Sequence, residues 1–316
     1  MKLGKFSLVG LACCSAVFTA GALYGQAADH AQERDIAPSG RGIGTRYEHG
    51  PSSHRFGPER MSRQKRAIGN GIYYHGGPLL GTAVPPNVYL IWYGNWSGNT
   101  AISILTNLAS HIGGSSYFNI NTTYYNGSGD HVLNAVSYKG STTDNYSQGT
   151  SLSDSAVQLV VQEAISSGRL ALDPDGVYFV LTSKDVNEKS GFCSNYCGWH
   201  TYGSISGTNI KYAFIGNPDR CPSACEEQTV SPNNNAGADG MASVIAHELE
   251  EAVTDPLLNA WYDNRGEENA DKCAWTFGST SKASNGSSYN LTLNGKQYLI
   301  QQNWVNASGG YCAMSY

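Results

Sequence analysis

The chain has 316 residues, 14% of them charged, and its formal net charge at pH 7 is -5. This mild acidity, without a basic stripe, argues against nucleic acid as a partner. A low charge fraction beside 37 glycines and 20 tyrosines is typical of a loop-rich secreted protein rather than of a cytosolic helical one.

The N-terminus has the order of a secretory signal peptide. Lys2 and Lys5 precede an apolar run at residues 6–23, and small residues follow as far as Ala28. We therefore predict that residues 1–28 are removed and that the mature chain is extracellular, in the apoplast or cell wall if the organism has a wall. A transmembrane anchor is the alternative, but Gly, Ser and Thr interrupt the run. We expect no membrane association after cleavage.

Residues 29–66 are polar, rich in Arg, Gly, Pro and Ser, and show no apolar period. This composition predicts a disordered pro-segment or linker. The segment ends in Arg63-Gln64-Lys65-Arg66, a pattern that processing proteases of the secretory pathway cleave; a solvated basic linker is the alternative. Processing after Arg66 would leave residues 67–316 as a single domain with one sizeable core.

Apolar runs alternate with helical patterns along the mature chain, which predicts an α/β fold: a layered mixed sheet flanked by helices, metallopeptidase-like in its helix motif. The predicted strands are Asn87–Tyr93, 131–138, Gly176–Thr182 and 211–215. The predicted helices are 101–112, and one capped by Ser153 and running to Gly168 with Ala156, Leu159, Val160 and Ala164 on one face. Asn294-Gly295 between two alternating runs predicts a C-terminal β-hairpin.

Six cysteines lie in the mature region, and an even number in an oxidising compartment predicts three disulfides that staple the loops. Zinc binding by the two Cys-x-x-x-Cys pairs is the weaker alternative, and the pairing stays open. The six are Cys193, Cys197, Cys221, Cys225, Cys273 and Cys312. Glycosylation sequons begin at Asn95, Asn121, Asn126, Asn145, Asn285, Asn290 and Asn306.

The candidate site is a His-Glu-x-x-Glu motif on a predicted helix. Residues i and i+4 share a helix face, so His247 and Glu251 can bind one ion. Asp271 or Glu268 can supply a third ligand, and Glu248 is placed to act as general base on a metal-bound water. The ligand set predicts zinc, with calcium as the alternative because carboxylate-rich sites suit harder cations.

A plain interpretation competes with this site, since solvated helices often carry such acidic runs around one hydrogen-bonded histidine. Residues 241–246 carry no charge, which indicates a buried helix whose later charges need partners. His200 is weighed both as an extra ligand and as a structural hydrogen-bonding group. A weaker candidate is a sugar-binding platform, with core packing as its alternative, formed by Trp92, Trp96, Tyr117, Tyr124 and Tyr125.

Several motifs together carry a resemblance to a known family. They include Val88-Tyr-Leu-Ile-Trp-Tyr-Gly-Asn95, Asp175-Gly-Val-Tyr-Phe-Val-Leu-Thr-Ser183, Cys221-Pro222, His247-Glu248-Leu249 with Glu251, Asn259-Ala-Trp-Tyr262, and Ala270-Asp271 with Cys273. The chain resembles the EXORDIUM / phosphate-induced protein 1 family of secreted plant proteins, and the likeness runs from about Gly71 to Cys312. It departs from the family at Glu250, where the family usually has Ala.

The resemblance implies an extracellular or cell-wall protein linked to growth and cell expansion, and it implies no particular reaction. Two functions therefore stand as expectations. The first is a metal-dependent, peptidase-like hydrolase. The second is a non-enzymatic signalling or wall-binding protein with a structural ion or an acidic network. The expected partner is an extracellular protein or a cell-wall substrate, and we expect a monomer.

Overall fold

A computed structural model describes residues 71–316, together with Met1. The predicted signal peptide, the pro-segment and the processing site at Arg66 lie outside the described residues and stay predictions. The strands are β1 (Tyr73–Tyr74), β2 (Asn87–Tyr93), β3 (Ser137–Asp144), β4 (Ser151–Leu152), β5 (Gly176–Thr182), β6 (Asn187–Glu188), β7 (Gly198–Ile205), β8 (Thr208–Ile215), β9 (Trp261–Tyr262), β10 (Ser281–Lys282), β11 (Ser288–Tyr289), β12 (Leu291–Leu293), β13 (Lys296–Tyr298), β14 (Asn303–Val305) and β15 (Tyr311–Ala313). The helices are α1 (Ala101–His111), α2 (Asp154–Ser166), α3 (Pro222–Cys225) and α4 (Ala236–Thr254).

A five-stranded mixed sheet forms the core, in the order β3-β2-β5-β8-β7. Strand β2 pairs in parallel with β3 and β5, and β5 pairs in parallel with β8. Strand β7 runs antiparallel to β8 and closes one edge. Strands β2 and β5 are continuous apolar runs with nearly every residue buried, as central parallel strands require. The prediction of an α/β protein with a central mixed sheet is confirmed.

The two edges of the sheet are where the strand predictions failed. The strand predicted at 131–138 is wrong, because β3 begins only at Ser137 and His131 makes an isolated bridge with Tyr125. Strand β7 was not predicted at all. Both edge strands are rich in Gly, Ser and Thr, so neither contains an apolar run that would indicate a strand.

The capping and face of α2 were predicted with partial success. Ser153 is its N-cap and accepts a hydrogen bond from the Ala156 amide at 3.3 Å, as expected. The predicted apolar face is wrong at Leu159, which is 42% exposed, while Val157 and Val161 are fully buried. The buried face of α2 therefore includes Val157 and Val161 and excludes Leu159.

Helix α4 runs through the middle of the molecule. Its N-cap Asn235 accepts a hydrogen bond from the Ala238 amide at 3.1 Å, and every residue after Ala236 is buried. It packs against α1 on one side and against β7 and β8 on the other. No helix among the described residues is long and apolar enough to cross a membrane.

Residues 71–316 contain three disulfides, as predicted, and the structure decides their pairing. They are Cys193–Cys221, Cys197–Cys225 and Cys273–Cys312. The predicted hairpin is confirmed as β12 and β13, joined at Asn294 and Gly295, which both have positive φ angles. Two consecutive positive φ values define the hairpin turn that Asn-Gly favours.

Candidate metal centre

The His-Glu-x-x-Glu motif lies in the C-terminal half of α4, inside the protein. The side chains of His247, Glu248 and Glu251 are all completely buried. Their burial follows from the uncharged segment before them, which packs into the core and carries the next turns of the helix with it. Charged groups buried in this way require counter-charges or hydrogen bonds, and two elements distant in sequence approach them here.

A first group of potential ligands joins α4 to the loop that follows it. His247 Nε2 lies 3.0 Å from Glu251 Oε1 and 3.6 Å from Asp271 Oδ1. The Asp271 amide donates to Glu251 Oε1 at 3.0 Å, which fixes both carboxylates relative to each other. Asp271 opens the short helical turn Asp271–Cys273, and the disulfide to Cys312 anchors that turn. The structure thus brings together three of the residues predicted from the sequence.

A second group joins α4 to the sheet edge. His200 Nδ1, on β7, lies 3.6 Å from Glu248 Oε2 and 3.6 Å from Glu251 Oε2. The other ring nitrogen, Nε2, lies 3.5 Å from Glu268 Oε2. Glu268, predicted as a possible third ligand beside His247, is therefore placed beside His200.

A glycine lets β7 approach α4 this closely. A Cβ atom on Gly198 would lie 2.5 Å from Val244 Cγ1 and 3.1 Å from Glu248 Oε1. Any larger residue would push the strand away from the helix, and His200, two residues further along β7, would move with it. The contact between His200 and the motif therefore depends on Gly198.

The distances in both groups fit cation coordination. Ligand atoms held about 2 Å from one tetrahedral ion lie about 3.3 Å from each other. The distances of 3.0 and 3.6 Å in the first group bracket that value, and the two distances of 3.6 Å in the second lie slightly above it. In each group the ligand atoms lie within 4.8 Å of one another. The donor set of nitrogen and carboxylate oxygen suits zinc, and its carboxylates also suit calcium.

Comparisons with known proteins place the chain in a family. The family model "Phosphate-induced protein 1 conserved region" matches residues 72–314. Protein EXORDIUM-like 3 of Arabidopsis thaliana is 33% identical over 280 residues, which cover 76% of this chain and 82% of that protein. Protein PHOSPHATE-INDUCED 1 of Nicotiana tabacum is 27% identical over 273 residues, covering 72% and 83%. This chain belongs to the phosphate-induced protein 1 family.

Protein EXORDIUM-like 5 of Arabidopsis thaliana is a further relative of this EXORDIUM-like chain, 31% identical over 274 residues, covering 74% of this chain and 75% of that protein. No solved structure matches the chain. The resemblance inferred from the sequence motifs is confirmed. The matched region includes α4, β7 and the loop with Glu268 and Asp271, so both ligand groups lie within it.

The electrostatics of the centre favour positive charge. Burial lowers the pKa of His247, but the adjacent Glu251 and Asp271 carboxylates outweigh that effect and raise the pKa to about 10. A buried region with this excess of carboxylates stabilises a cation.

Glu250 lies outside both groups. It is fully buried, and it accepts a hydrogen bond from the Asn303 side chain on β14. Burial raises its pKa well above the ordinary value. Because Glu250 points to another side of α4, it is a buried acid beside the centre but not part of it.

The aromatic residues considered as a sugar platform are mostly core residues. Tyr125 is 40% exposed, but the other four are 5% exposed or less: Trp92, Trp96, Tyr117 and Tyr124. Trp92 and Trp96 instead pack edge to face, with ring centroids 5.3 Å apart. The platform hypothesis is therefore wrong for these residues as a set.

Proposed function

We propose that this EXORDIUM-like protein is secreted to the extracellular space or cell wall, holds a divalent cation at His247, Glu251 and Asp271, and hydrolyses a peptide or other amide bond. One observation carries the proposal. A helix and the loop after it bring one nitrogen and two carboxylates, one from each of three side chains, to within 4.8 Å of one another. Zinc is the cation that a mixed nitrogen and oxygen set favours.

Each side chain has a distinct role in this hydrolase. A cation held by His247, Glu251 and Asp271 would supply a water of lowered pKa and would polarise the carbonyl of the substrate. Glu248 follows His247 directly on α4, and its role would be that of the general base. His200 Nδ1, 3.6 Å from Glu248 Oε2, orients the Glu248 carboxylate. The Asp271 amide holds Glu251 in place through its hydrogen bond.

The burial of the centre supports a second candidate function. Of the side chains in the two groups, only Asp271 reaches solvent, and it is just 10% exposed. A substrate would have to enter on the Asp271 side, whereas a structural ion needs no entrance. The second candidate is therefore a non-enzymatic signalling or wall-binding protein, linked to growth as the family resemblance implies, with a structural cation such as calcium.

Metal content and hydrolysis together test the proposal. The purified secreted protein is dialysed against zinc or calcium, its bound metal is measured, and a peptide library is screened for cleavage. We expect bound zinc, its loss in Glu251→Gln, and its retention in Glu250→Gln, a matched change of a neighbouring buried acid. Calcium in place of zinc, with no cleavage, would favour the structural function. No bound metal in the wild type would reject both forms of the proposal.

A further inference from the structure

In a single-ion hydrolase Glu251 is a ligand, Glu248 is the base, and His200 serves only to orient that base. His200, Glu248 and Glu251 present ligand atoms within 4.8 Å of one another, as the first group does. His200 comes from β7, a different element from the loop that carries Asp271, and its side chain is completely buried. This group therefore takes one ligand from the sheet, which the first group does not.

Glu251 belongs to both groups through different oxygens. Its Oε1 faces His247 Nε2 at 3.0 Å, and its Oε2 faces His200 Nδ1 at 3.6 Å. A carboxylate that presents one oxygen to each of two ligand groups has the geometry of a bridge between two cations. Each of the other ligands then belongs to one side only.

The surroundings of His200 match those of a metal-binding histidine. A ligating imidazole usually donates its second ring N–H to a carboxylate, which fixes the tautomer and the ring orientation. In His200, Nδ1 faces Glu248 and Glu251, and Nε2 faces a carboxylate on the opposite side of the ring, 3.5 Å from Glu268 Oε2. The Glu268 amide in turn donates to Asp271 Oδ2 at 3.3 Å, which ties the two groups together.

We propose that His200, Glu248 and Glu251 form a second divalent-cation site that shares Glu251 with the first and regulates it. The regulation rests on the proposed hydrolase function, since a Glu248 carboxylate bound to a cation no longer accepts a proton from water. The protein is then active with one ion and inhibited with two. Glu268 is a positioning residue that orients His200.

Zinc titration of the chelator-treated protein tests the second site without any need for activity. We expect the wild type to saturate at two zinc ions per chain. His200→Gln and Asp271→Asn are each expected to bind one, because each removes a ligand unique to one group. Glu251→Gln is expected to lose both ions or bind them far more weakly, while Glu250→Gln keeps two.

Glu268→Gln provides a second test in case the ligand variants fail to fold, because it leaves every proposed ligand in place. Loss of such an outer carboxylate typically weakens metal binding by about 10–100-fold. We expect that weakening for the second ion alone. If peptide cleavage has been found, excess zinc should inhibit the wild type and leave the residual cleavage by His200→Gln unaffected.

The failure of the second site and the failure of the proposed function give different results. A wild type that saturates at one zinc ion, kept in His200→Gln and lost in Asp271→Asn, overturns the second site and supports the first. In another outcome, the wild type binds a single zinc ion that is lost in His200→Gln and kept in Asp271→Asn. That result overturns both the shared arrangement and the assignment of the first site. Unchanged zinc affinity in Glu268→Gln contradicts the role given to Glu268.

Discussion

The two ends of α4 each bury a cluster of acids, and the clusters are built differently. At the N-terminal end, Asp239 accepts hydrogen bonds from the Asn233 amide at 2.9 Å and from its side chain at 2.5 Å, and Glu226 and Glu227 are buried nearby. At the C-terminal end, Glu248 and Glu251 face two buried histidines.

The difference between the clusters teaches what separates a structural acid network from a ligand set. The N-terminal cluster is supported by amide donors of Asn233, and burial raises the pKa of Asp239 and Glu227, which favours their neutral forms. The C-terminal cluster offers imidazole nitrogens at coordination distances instead. Buried acids alone do not make a candidate metal site, and their combination with histidine does.

The largest expected effect is a fall in the rate of peptide cleavage. This fall tests whether the C-terminal cluster is catalytic. Glu248→Gln removes the proposed base while keeping a side chain of the same size. General-base catalysis typically contributes about 10²–10⁴-fold, so we expect the cleavage rate to fall by that factor with the first ion retained. Steady-state kinetics at limiting zinc measures this, and an unchanged rate would remove Glu248 from the mechanism.

Removal of metal should affect stability through the C-terminal cluster only. A ligand present at 1,000 times its dissociation constant stabilises the folded state by about 4 kcal/mol. We therefore expect chelation to lower the free energy of unfolding of the wild type by about that amount, as measured by urea denaturation. Glu251→Gln, which lacks the ions already, should not respond, and an Asp239→Asn variant should respond like the wild type.

The N-terminal cluster should show a pH dependence of stability that comes from Glu226. Burial, followed by the nearby Asp219 carboxylate, raises the pKa of Glu226 to about 7. A raised folded-state pKa gives stability that is complete below the unfolded value of about 4.3 and is lost as the pH rises through 7. Each unit of pKa difference corresponds to about 1.4 kcal/mol.

Glu226→Gln provides the control for that pH dependence. The glutamine amide can donate to Asp219 at every pH, as the protonated carboxyl does, so the variant should lose less stability between pH 4.5 and about 7. Denaturation midpoints across this range measure the difference. Parallel profiles of the wild type and the variant would show that Glu226 does not titrate in this window.

The smallest expected effect is that of Asp239→Asn. The substitution keeps one side-chain oxygen that can accept from Asn233 and replaces the other with an NH2 group, so one of the two hydrogen bonds is lost. We expect a loss of about 1 kcal/mol in the free energy of unfolding and unchanged zinc binding. Altered zinc binding would contradict the separation of the two clusters.

Local sequence patterns by themselves determined the central strands, the C-terminal hairpin and the helix face that carries the motif. Continuous apolar runs are sufficient to specify the central strands, and Asn294-Gly295 specifies its hairpin, because both signals depend on neighbouring residues alone. The His-Glu-x-x-Glu spacing likewise placed His247 and Glu251 on one face of α4, since helix geometry dictates that relation.

Only the tertiary structure decided what surrounds that face. His200 comes from an edge strand whose polar sequence gave no strand signal, and it reaches the helix because Gly198 permits close packing. The placement of Glu268 beside His200, like the pairing of the cysteines, depends on how distant segments fold back onto α4. Local propensity carries no information about such contacts, because they are fixed by the packing of the whole core around one buried helix.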